Sequence, residues 1–335
     1  MNKIVEWESP SNIALIKYWG KYGVQFPKNP SISFTLNNSK STTSIELIPK
    51  KNNKVEFYFD KKLNKEFGLR IEKYLNNITS KLQFINDYSF YIRSTNTFPH
   101  STGIASSASA FSALAMCLVD LDCELNNTIL SKKKASSLAR LGSGSACRSV
   151  YGGVAMWGKT QDIDNSSNEY AISLNNGISS IFKTYCDDIV IVDADKKSVS
   201  SSAGHKLMDT NPYSTEKYNQ ALVNTRLLYN AMQTGDISEF IRIVELEALS
   251  LHSMMMISNP SFILIKPETI YIINKIREFR NDTDIPVCFT LDAGPNVHIL
   301  YPDNNKIEVQ EFINFEMKNF RIISDYVGKG PVKLR

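Results

Sequence analysis

The stretch from Asn96 to Val119 constrains the fold most, because it joins a proline-containing loop directly to a helix built from small residues. Large side chains are missing between Ala105 and Ala110, so another group can approach the backbone closely where the loop meets the helix. The free N–H groups of a helix start, together with the positive end of its dipole, favour an anion such as phosphate. The pattern is equally typical of a well-capped helix that packs through a small-residue face. Taken alone, the stretch leaves both interpretations open.

Length and composition indicate a soluble globular chain with two packed domains. The chain has 335 residues, which is enough for two hydrophobic cores. Its apolar runs are shorter than the ~18 residues of a membrane span. The first ten residues carry Glu6 and Glu8 and lack the apolar segment of a secretory signal. We therefore expect a cytoplasmic protein that does not act at a membrane.

The charge and the cysteines argue against several other classes of protein. The net charge of +4 is mild, and the basic runs Lys50–Lys51 and Lys132–Lys134 are short and lie beside polar residues. Such runs are typical of solvated faces rather than of a nucleic-acid surface, and an anionic small molecule suits the charge equally well. The five cysteines are scattered and form no Cys-x-x-Cys pair, which argues against a zinc site and a disulfide framework.

The residue patterns predict an α+β fold in two halves, with a boundary near residue 184. In the first half, alternation and caps predict a hairpin from 43–48 and 54–59 and an amphipathic helix over 64–82, capped by Asn64. The remaining predicted elements are strands at 1–18, 31–36, 88–93, 154–157, 170–174, 188–192, 287–290 and 297–301, and helices from 106, at 131–141, around 218–232, at 237–251 and at 267–279. Gly235 and Asp236 are predicted to separate the helices at 218–232 and 237–251 and to cap the second.

Three charged residues stand where a fold rarely needs them. Lys17 follows an apolar run and precedes Tyr18 and Trp19, so it lies either at a strand end that reaches solvent or in a pocket that faces an anion. Arg148 lies in a Gly/Ser-rich loop, where a guanidinium can fork onto a carboxylate or phosphate. Asp292 follows a buried-looking strand and precedes Ala-Gly-Pro, and it is also explained as a turn-forming residue.

Four stretches taken together resemble the diphosphomevalonate decarboxylase family. That family is a branch of the galactokinase, homoserine kinase, mevalonate kinase and phosphomevalonate kinase superfamily. The phosphate-loop stretch by itself indicates only the superfamily, whereas Ile-Lys-Tyr-Trp-Gly-Lys and Ser-Gly-Ser-Ala-Cys-Arg-Ser point to the decarboxylase branch. The matching stretches span nearly the whole chain in the family's order: residues 9–21, 99–107, 142–153 and 289–296.

The resemblance implies the two-domain α+β fold of small-molecule kinases, with an active site in the cleft between the domains. Residues 1–183 would form the ATP- and phosphate-binding domain, and residues 184–335 would contribute the catalytic aspartate. The implied reaction belongs to isoprenoid biosynthesis by the mevalonate pathway. It uses ATP and Mg²⁺ to phosphorylate the 3-hydroxyl of mevalonate 5-diphosphate, after which phosphate and CO₂ leave and isopentenyl diphosphate forms.

The resemblance also implies a role for each matched residue. Asp292 would orient the 3-hydroxyl and accept its proton late, while Lys17 would hold Asp292 ionised. Arg148 would clamp the substrate carboxylate, helped by Asn12. The ATP phosphates would contact Pro99, Ser101, Thr102, Gly103, Ala105, Ser106 and Ser107, of which Ser106 and Ser107 would lie near Mg²⁺. The diphosphate end of the substrate would contact Tyr18, Lys21, Ser143, Ser145, Ser201, Ser202 and His205.

Two segments depart from the family's pattern. His100, Ser101 and Thr102 replace the usual residues of the phosphate loop, and Ser202 stands where some members have Arg. His205 stands where some members have Met, and it would either face the diphosphate or cap the following helix. The two remaining histidines, His252 and His298, are interpreted as satisfied core residues.

Three other functions remain as alternatives. A decarboxylase of mevalonate 5-phosphate would keep Asp292, Lys17 and Arg148 but relax the diphosphate contacts. A plain 3-kinase is disfavoured because, as the resemblance implies, such relatives lose the Asp/Lys pair that this chain retains. A non-catalytic anion-binding relative is disfavoured by all three charged residues. The resemblance further implies a homodimer.

Overall fold

The structure is a computed structural model that describes residues 3–50, 54–98, 106–194 and 201–335, without the side chains of Ser201 and Ser202. Within these residues the chain forms a large sheet in its first half and a four-stranded sheet in its second half, each packed against helices. The α+β fold class predicted from the sequence is confirmed. No helix in the described ranges is long and apolar enough to cross a bilayer.

The first sheet is organised around the long strand β4 (Ser31–Pro49). It pairs antiparallel with β1 (Ile4–Ala14), β7 (Tyr88–Asn96) and β8 (Val154–Trp157). Its first residues are buried throughout, and its later residues alternate between buried and partly exposed, as expected for a strand with one covered face. The shorter strands of this half are β2 (Lys21–Tyr22), β3 (Phe26–Pro27), β5 (Val55–Phe59), β6 (Lys62–Leu63) and β9 (Ala171–Ser173).

The predicted hairpin between residues 43–48 and 54–59 is wrong. Strand β5 does not pair with β4; it runs parallel to β7, which lies between them. Phe90 and Ile92 of β7 are fully buried, whereas most of β5 is only partly buried. Strand β7 is the more deeply buried of the two and takes the central position, although the shorter connection favours a hairpin.

Three helices accompany the first sheet. Helix α1 (Lys65–Ile78) begins as predicted, since the Asn64 side chain accepts a hydrogen bond from the Phe67 N–H at 2.9 Å. Helix α2 (Ser106–Asn126) is buried along most of its length and packs against β1, β4 and α3. Helix α3 (Lys132–Gly142) leads into a 3₁₀ turn, Gly144–Val150, which carries Arg148.

The second sheet is antiparallel, and its strands follow the order β11 (Cys288–Leu291), β12 (Val297–Tyr301), β10 (Cys186–Ile191) and β13 (Arg321–Tyr326). Asp236 caps α6 as predicted, since its side chain accepts from the Glu239 N–H at 3.0 Å. The sequence patterns did not predict α4, α8, β13 or β14. The elements of this half are β10 (Cys186–Ile191), α4 (Ser201–Leu207), α5 (Ser214–Thr234), α6 (Ile237–Met256), α7 (Pro267–Thr283), β11 (Cys288–Leu291), β12 (Val297–Tyr301), α8 (Lys306–Glu316), β13 (Arg321–Tyr326) and β14 (Val332–Lys333).

The two halves share a hydrophobic core. The ring of Phe34, from β4, lies 5.6 Å from that of Tyr185 and 5.9 Å from that of Phe240. The chain also returns to the first sheet at its end, where β14 pairs with β1. Because the halves interlock in this way, side chains contributed by each half can be held in fixed positions relative to one another.

Candidate active site

Lys17 and Asp292 meet at the junction of the two halves. Lys17 lies just past the end of β1 and is 1% exposed, while Asp292 directly follows β11. The Lys17 Nζ lies 3.5 Å from the Asp292 Oδ1 and also donates a hydrogen bond to the Ala14 carbonyl oxygen. The Asp292 side chain is 28% exposed. A carboxylate that is open to solvent on one side and paired with a buried ammonium on the other can receive a substrate.

Burial and neighbouring charges set the protonation of Lys17. Desolvation lowers the pKa of Lys17 below its ordinary value, and the carboxylates of Asp292 and Glu247 oppose this effect. The guanidinium of Arg148 adds a smaller lowering of the same pKa. The site thus contains a lysine whose charge depends on nearby anions, which is the kind of perturbed group found at functional sites.

Hydrogen bonds fix the Arg148 side chain and leave one of its N–H donor groups without a partner among the described residues. The side chain is 2% exposed, and its Nε donates to the Ser33 Oγ at 3.0 Å and, more weakly, to the Asn12 Oδ1 at 3.3 Å. Its Nη2 donates to the same Asn12 oxygen at 3.1 Å. The buried Nη1 has no hydrogen-bond partner among the described residues. Leaving such a donor unpaired costs about 1–3 kcal/mol, so the arrangement suits a bound anion that accepts from Nη1.

The side-chain amide nitrogen of Asn12 fixes the orientation of this residue. Its Nδ2 donates to the Ser149 Oγ at 2.7 Å and to the Ser145 carbonyl oxygen at 3.2 Å. Its Oδ1 therefore has to face Arg148, which sets the direction of the guanidinium. Asn12 holds Arg148 in this structure, and its predicted help in orienting the substrate carboxylate stays a prediction.

Tyr18, which follows Lys17 in the chain, packs against His205. The Tyr18 ring lies 4.3 Å from the His205 ring and 4.8 Å from the Trp157 ring, and its buried hydroxyl has no partner among the described residues. His205 accepts a hydrogen bond from the Gly20 N–H at its Nδ1, at 2.9 Å. Burial lowers the pKa of His205 to about 3, with a further lowering by Lys21, so the ring is neutral near pH 7.

The interpretation of His205 as a cap of the following helix is wrong. It does not cap the following helix, because it lies within α4 and the start of α5 has no side-chain cap. The ring instead supports the loop that carries Tyr18 and Gly20. A neutral ring engaged in this way offers no positive charge to a diphosphate, although its predicted contact with the substrate stays a prediction.

The start of α2 lies next to the turn that follows α3. The Ser107 Oγ lies 3.4 Å from the Ser143 Oγ, and both Ser106 and Ser107 are partly exposed. The first turn of α2 carries no acidic residue, so nothing there opposes a bound phosphate. The other predicted phosphate contacts, Pro99, Ser101, Thr102, Gly103 and Ala105, lie outside the described residues, as does His100.

The other residues predicted to contact the diphosphate lie in β2, in the 3₁₀ turn and at the start of α4. Lys21 lies in β2, where its Nζ donates to the Gln25 Oε1 at 3.2 Å, and burial lowers its pKa. Ser145 lies in the 3₁₀ turn beside Asn12. Ser201 and Ser202 open α4, but their side chains are not among those described.

Two residues that contact Lys17 and Asp292 were not predicted at the site from the sequence, and both lie on α6. Glu247 is 0% exposed and accepts from the Lys17 N–H at 3.0 Å. The His252 Nε2 lies 2.9 Å from the Asp292 carbonyl oxygen. Glu247 falls at helical spacing between the apolar residues Val244 and Leu251, and a carboxylate on such a face is a signal that it is paired.

The histidine interpretations have different outcomes. His298 is a satisfied core residue as predicted, since its Nδ1 contacts both carboxylate oxygens of Asp187 at 2.8–2.9 Å. His252 is buried as predicted, but its contact with Asp292 gives it a place at the site that the sequence did not reveal.

Family models cover most of the chain. Residues 9–169 match the Diphosphomevalonate decarboxylase-like N-terminal domain, and residues 188–332 match the Mevalonate 5-diphosphate decarboxylase C-terminal domain. Among curated relatives, the diphosphomevalonate decarboxylase of Ganoderma lucidum is 29% identical over 328 residues, covering 91% of this chain and 80% of that one. The phosphomevalonate decarboxylase of Haloferax volcanii is 26% identical over 309 residues, covering 89% and 88%.

Solved structures give the same family. Mevalonate diphosphate decarboxylase from Staphylococcus aureus is 30% identical, with a TM-score of 0.88 over 100% of this chain and 99% of that one. The enzyme from Enterococcus faecalis, described with a mevalonate diphosphate-mediated ATP binding mechanism, is 27% identical with a TM-score of 0.85 over 100% of both chains. A chain described as MDDEF in complex with MVAPP, AMPPCP and magnesium matches at the same identity and TM-score, over 100% of both chains. This chain therefore belongs to the diphosphomevalonate decarboxylase family.

Proposed function

We propose that this chain catalyses the ATP-dependent decarboxylation of mevalonate 5-diphosphate to isopentenyl diphosphate. The observation that carries the proposal is the pairing of Lys17 with Asp292 at 3.5 Å, close to Arg148 with its unpartnered buried donor. In a member of this family, these groups match the two needs of the reaction, which are a carboxylate at the 3-hydroxyl and a cation at the substrate carboxylate.

Asp292 orients the 3-hydroxyl for phosphoryl transfer. A carboxylate is a weak base toward an alcohol, so it accepts the proton late, as the bond to phosphorus forms. Lys17 pairs with the Asp292 carboxylate and offsets the negative charge that gathers when two anionic substrates bind. Because Lys17 is buried, its interaction with Asp292 is screened little by solvent.

Arg148 prepares the second half of the reaction. Its Nη1 donates to the substrate carboxylate, while Asn12 and Ser33 prevent the guanidinium from turning away. When the 3-phosphate leaves with its electron pair, positive charge develops at C3. The electron pair of the C–CO₂ bond then forms the alkene and CO₂ departs. The Asp292 carboxylate is placed to stabilise the positive charge at C3.

ATP binds at the start of α2 in this proposal. The N–H groups of the helix start and the hydroxyls of Ser106 and Ser107 suit phosphate oxygens, and these hydroxyls are also the candidate contacts of Mg²⁺. Bound Mg²⁺ would neutralise phosphate charge. The loop contacts from Pro99 to Ala105 belong to the same proposal, supported by the family match over residues 9–169.

The diphosphate end lies toward Tyr18, Lys21 and the turn with Ser143 and Ser145. The buried Tyr18 hydroxyl without a protein partner supports this placement, because a diphosphate oxygen would accept from it. Further contacts in the proposal come from Ser201, Ser202 and His205.

The proposal extends to the organisation of the protein. Residues 1–183 form the ATP-binding domain and residues 184–335 contribute Asp292, a division supported by family-model matches that end at residue 169 and begin at residue 188. The five cysteines are buried free thiols, which supports a reducing compartment such as the cytoplasm. The chain acts as a homodimer, which light scattering on the purified protein would test.

A second candidate substrate is mevalonate 5-phosphate. It is favoured by the match to the Haloferax phosphomevalonate decarboxylase and by Ser202, which places no positive charge where some family members carry Arg. Fewer charged contacts at that end would suit one phosphate better than two.

One assay separates these possibilities. The purified protein is given ATP, Mg²⁺ and either mevalonate 5-diphosphate or 5-phosphate labelled at C1, and ADP and labelled CO₂ are measured together. The proposal predicts equal amounts of ADP and CO₂ with the diphosphate and much slower turnover with the monophosphate. The reverse preference establishes the second candidate, ADP without CO₂ indicates a plain kinase, and neither product indicates a non-catalytic relative.

A further inference from the structure

Helix α6 contacts the backbone on both sides of the Lys17–Asp292 pair. The Glu247 Oε2 accepts from the Lys17 N–H at 3.0 Å, and the His252 Nε2 lies 2.9 Å from the Asp292 carbonyl oxygen. Since a carbonyl can only accept, the His252 Nε2 is the donor. The two residues are five positions apart, which is about 7.5 Å along a helix axis. One rigid element therefore holds both partners of the pair.

Glu247 is itself held in place. Its Oε1 accepts from the Lys217 Nζ at 2.8 Å and from the Asn224 Nδ2 at 2.7 Å, both on α5. All of these groups are buried. A buried carboxylate with partners on both oxygens cannot change rotamer without leaving a polar group unsatisfied, which fixes the position at which it receives the Lys17 N–H.

The sheets alone do not position these two reactive residues. Strand β1 ends at Ala14 and strand β11 ends at Leu291, so Lys17 and Asp292 lie beyond the last ladder bonds of their strands. The Lys17 carbonyl oxygen accepts from the Asn29 Nδ2 at 2.9 Å, but the Lys17 N–H is bound only through Glu247 in the described contacts. The Asp292 carbonyl oxygen also accepts from the Gly294 N–H at 2.8 Å within its own turn, so in these contacts α6 is the element that reaches both members of the pair.

We propose that Glu247 and His252 are positioning residues that set the geometry and the charge of the Lys17–Asp292 pair. The inference rests on the proposed function, because the pair is assigned there to the 3-hydroxyl. Displacing a reacting group by about 1 Å can cost on the order of a hundredfold in rate. Two anchors on one helix reduce that displacement.

Glu247 also acts on the charge of Lys17. The charged groups that face the Lys17 ammonium are Asp292, Glu247 and Arg148. Of these, Asp292 and Glu247 raise the pKa of Lys17, while desolvation and Arg148 lower it. Removing the charge of Glu247 therefore lowers the pKa of Lys17 further, and the protonated form is lost at a lower pH.

The first test compares Glu247→Gln with Glu245→Gln. Glu245 lies on the same helix and is also buried, but it pairs with Arg277 and Arg280 on α7 instead of with the site. We expect Glu247→Gln to lower kcat by roughly tenfold to a hundredfold at unchanged ATP affinity. The alkaline limb of the kcat profile should move to lower pH in this variant. Glu245→Gln should lose stability while keeping the kcat and the pH profile of the wild type.

The second test uses rescue at His252. The Nε2 of a glutamine can occupy the place of the His252 Nε2, so His252→Gln should retain most of the wild-type kcat. His252→Leu removes the donor and should lower kcat by at least roughly tenfold. Equal kcat values for the Gln and Leu variants, or equal effects of the two glutamate substitutions, would overturn the proposal.

A readout without turnover keeps this test separate from that of the proposed function. The titration of Lys17 is followed by ¹³C NMR of its Cε in the wild type and in both glutamate variants. The proposal expects a lower Lys17 pKa only in Glu247→Gln, whichever substrate the chain uses. A wild type without CO₂ release contradicts the proposed function, whereas an unchanged Lys17 titration in Glu247→Gln contradicts the positioning role.

Discussion

The neutral, buried ring of His205 makes the stability of this chain sensitive to mild acid. The ring lies between Tyr18 and Trp19 and accepts the Gly20 N–H, and burial lowers its pKa to about 3. In the unfolded chain a histidine titrates near a pKa of ~6.5. Between these two pKa values the unfolded state binds one proton more than the folded state. The stabilisation is therefore complete above pH ~6.5 and is lost as the pH falls toward 3.

The size of this effect follows from the two pKa values. Each pH unit below ~6.5 costs about 1.4 kcal/mol of unfolding free energy for one proton. At pH 5 the wild type should therefore have lost about 2 kcal/mol through His205, relative to pH 8. His205→Met fills the buried position with an apolar side chain that has no proton to gain, so this part of the pH dependence should disappear. The variant is expected to be less stable at pH 8 by about 1 kcal/mol, because the Gly20 N–H loses its partner.

Urea unfolding followed by circular dichroism at pH 5 and pH 8 measures the difference. Each protein is compared with itself, so the contributions of the carboxylates and the other histidines cancel between wild type and variant. We expect the loss of unfolding free energy from pH 8 to pH 5 to be about 2 kcal/mol smaller in His205→Met. Equal losses in the two proteins would refute the assignment of His205 as a buried neutral ring.

Two further substitutions probe the substrate contacts. Tyr18→Phe should raise the KM for the diphosphate substrate by roughly fivefold to tenfold, because one hydrogen bond is worth about 1 kcal/mol. The melting temperature should not fall, since the Tyr18 hydroxyl has no protein partner in the described residues; an unchanged KM would place the hydroxyl outside the substrate site. Arg148→Lys should lower kcat/KM by roughly a hundredfold, because an ammonium cannot keep the fork to Asn12 and Ser33 while contacting a carboxylate. Calorimetry should find ATP affinity unchanged, and a loss of activity below about threefold would contradict the clamp, since such a loss is worth under ~0.7 kcal/mol.

The sequence revealed the reactive side chains but not the groups that hold them. Lys17, Arg148 and Asp292 stand out because each is a charged residue in an apolar or Gly-rich context, and the resemblance gave them roles. Glu247 and His252 were missed because they act on the backbone atoms of Lys17 and Asp292. Contacts of this kind depend on where α6 packs, which no local pattern encodes.

The same distinction holds for the fold. Caps such as Asn64 and Asp236 are local and were predicted correctly, because the cap and its N–H partner are three residues apart. The pairing of β5 was predicted wrongly, because it is decided by competition with β7 for the central position in the sheet. Tertiary burial overrides the shortness of the connection in such cases.

The central claim is that the Asp292 carboxylate, paired with Lys17, carries the chemistry. Asp292→Asn keeps the size of the side chain and removes the charge, and single-turnover experiments with labelled mevalonate 5-diphosphate follow ADP and CO₂ in both proteins. The variant should bind ATP nearly as well as the wild type, because Asp292 lies after β11 and the proposed phosphate contacts lie at α2. We predict that both products are abolished together. Retention of more than about a tenth of the wild-type kcat, a barrier change under ~1.4 kcal/mol, would contradict the account.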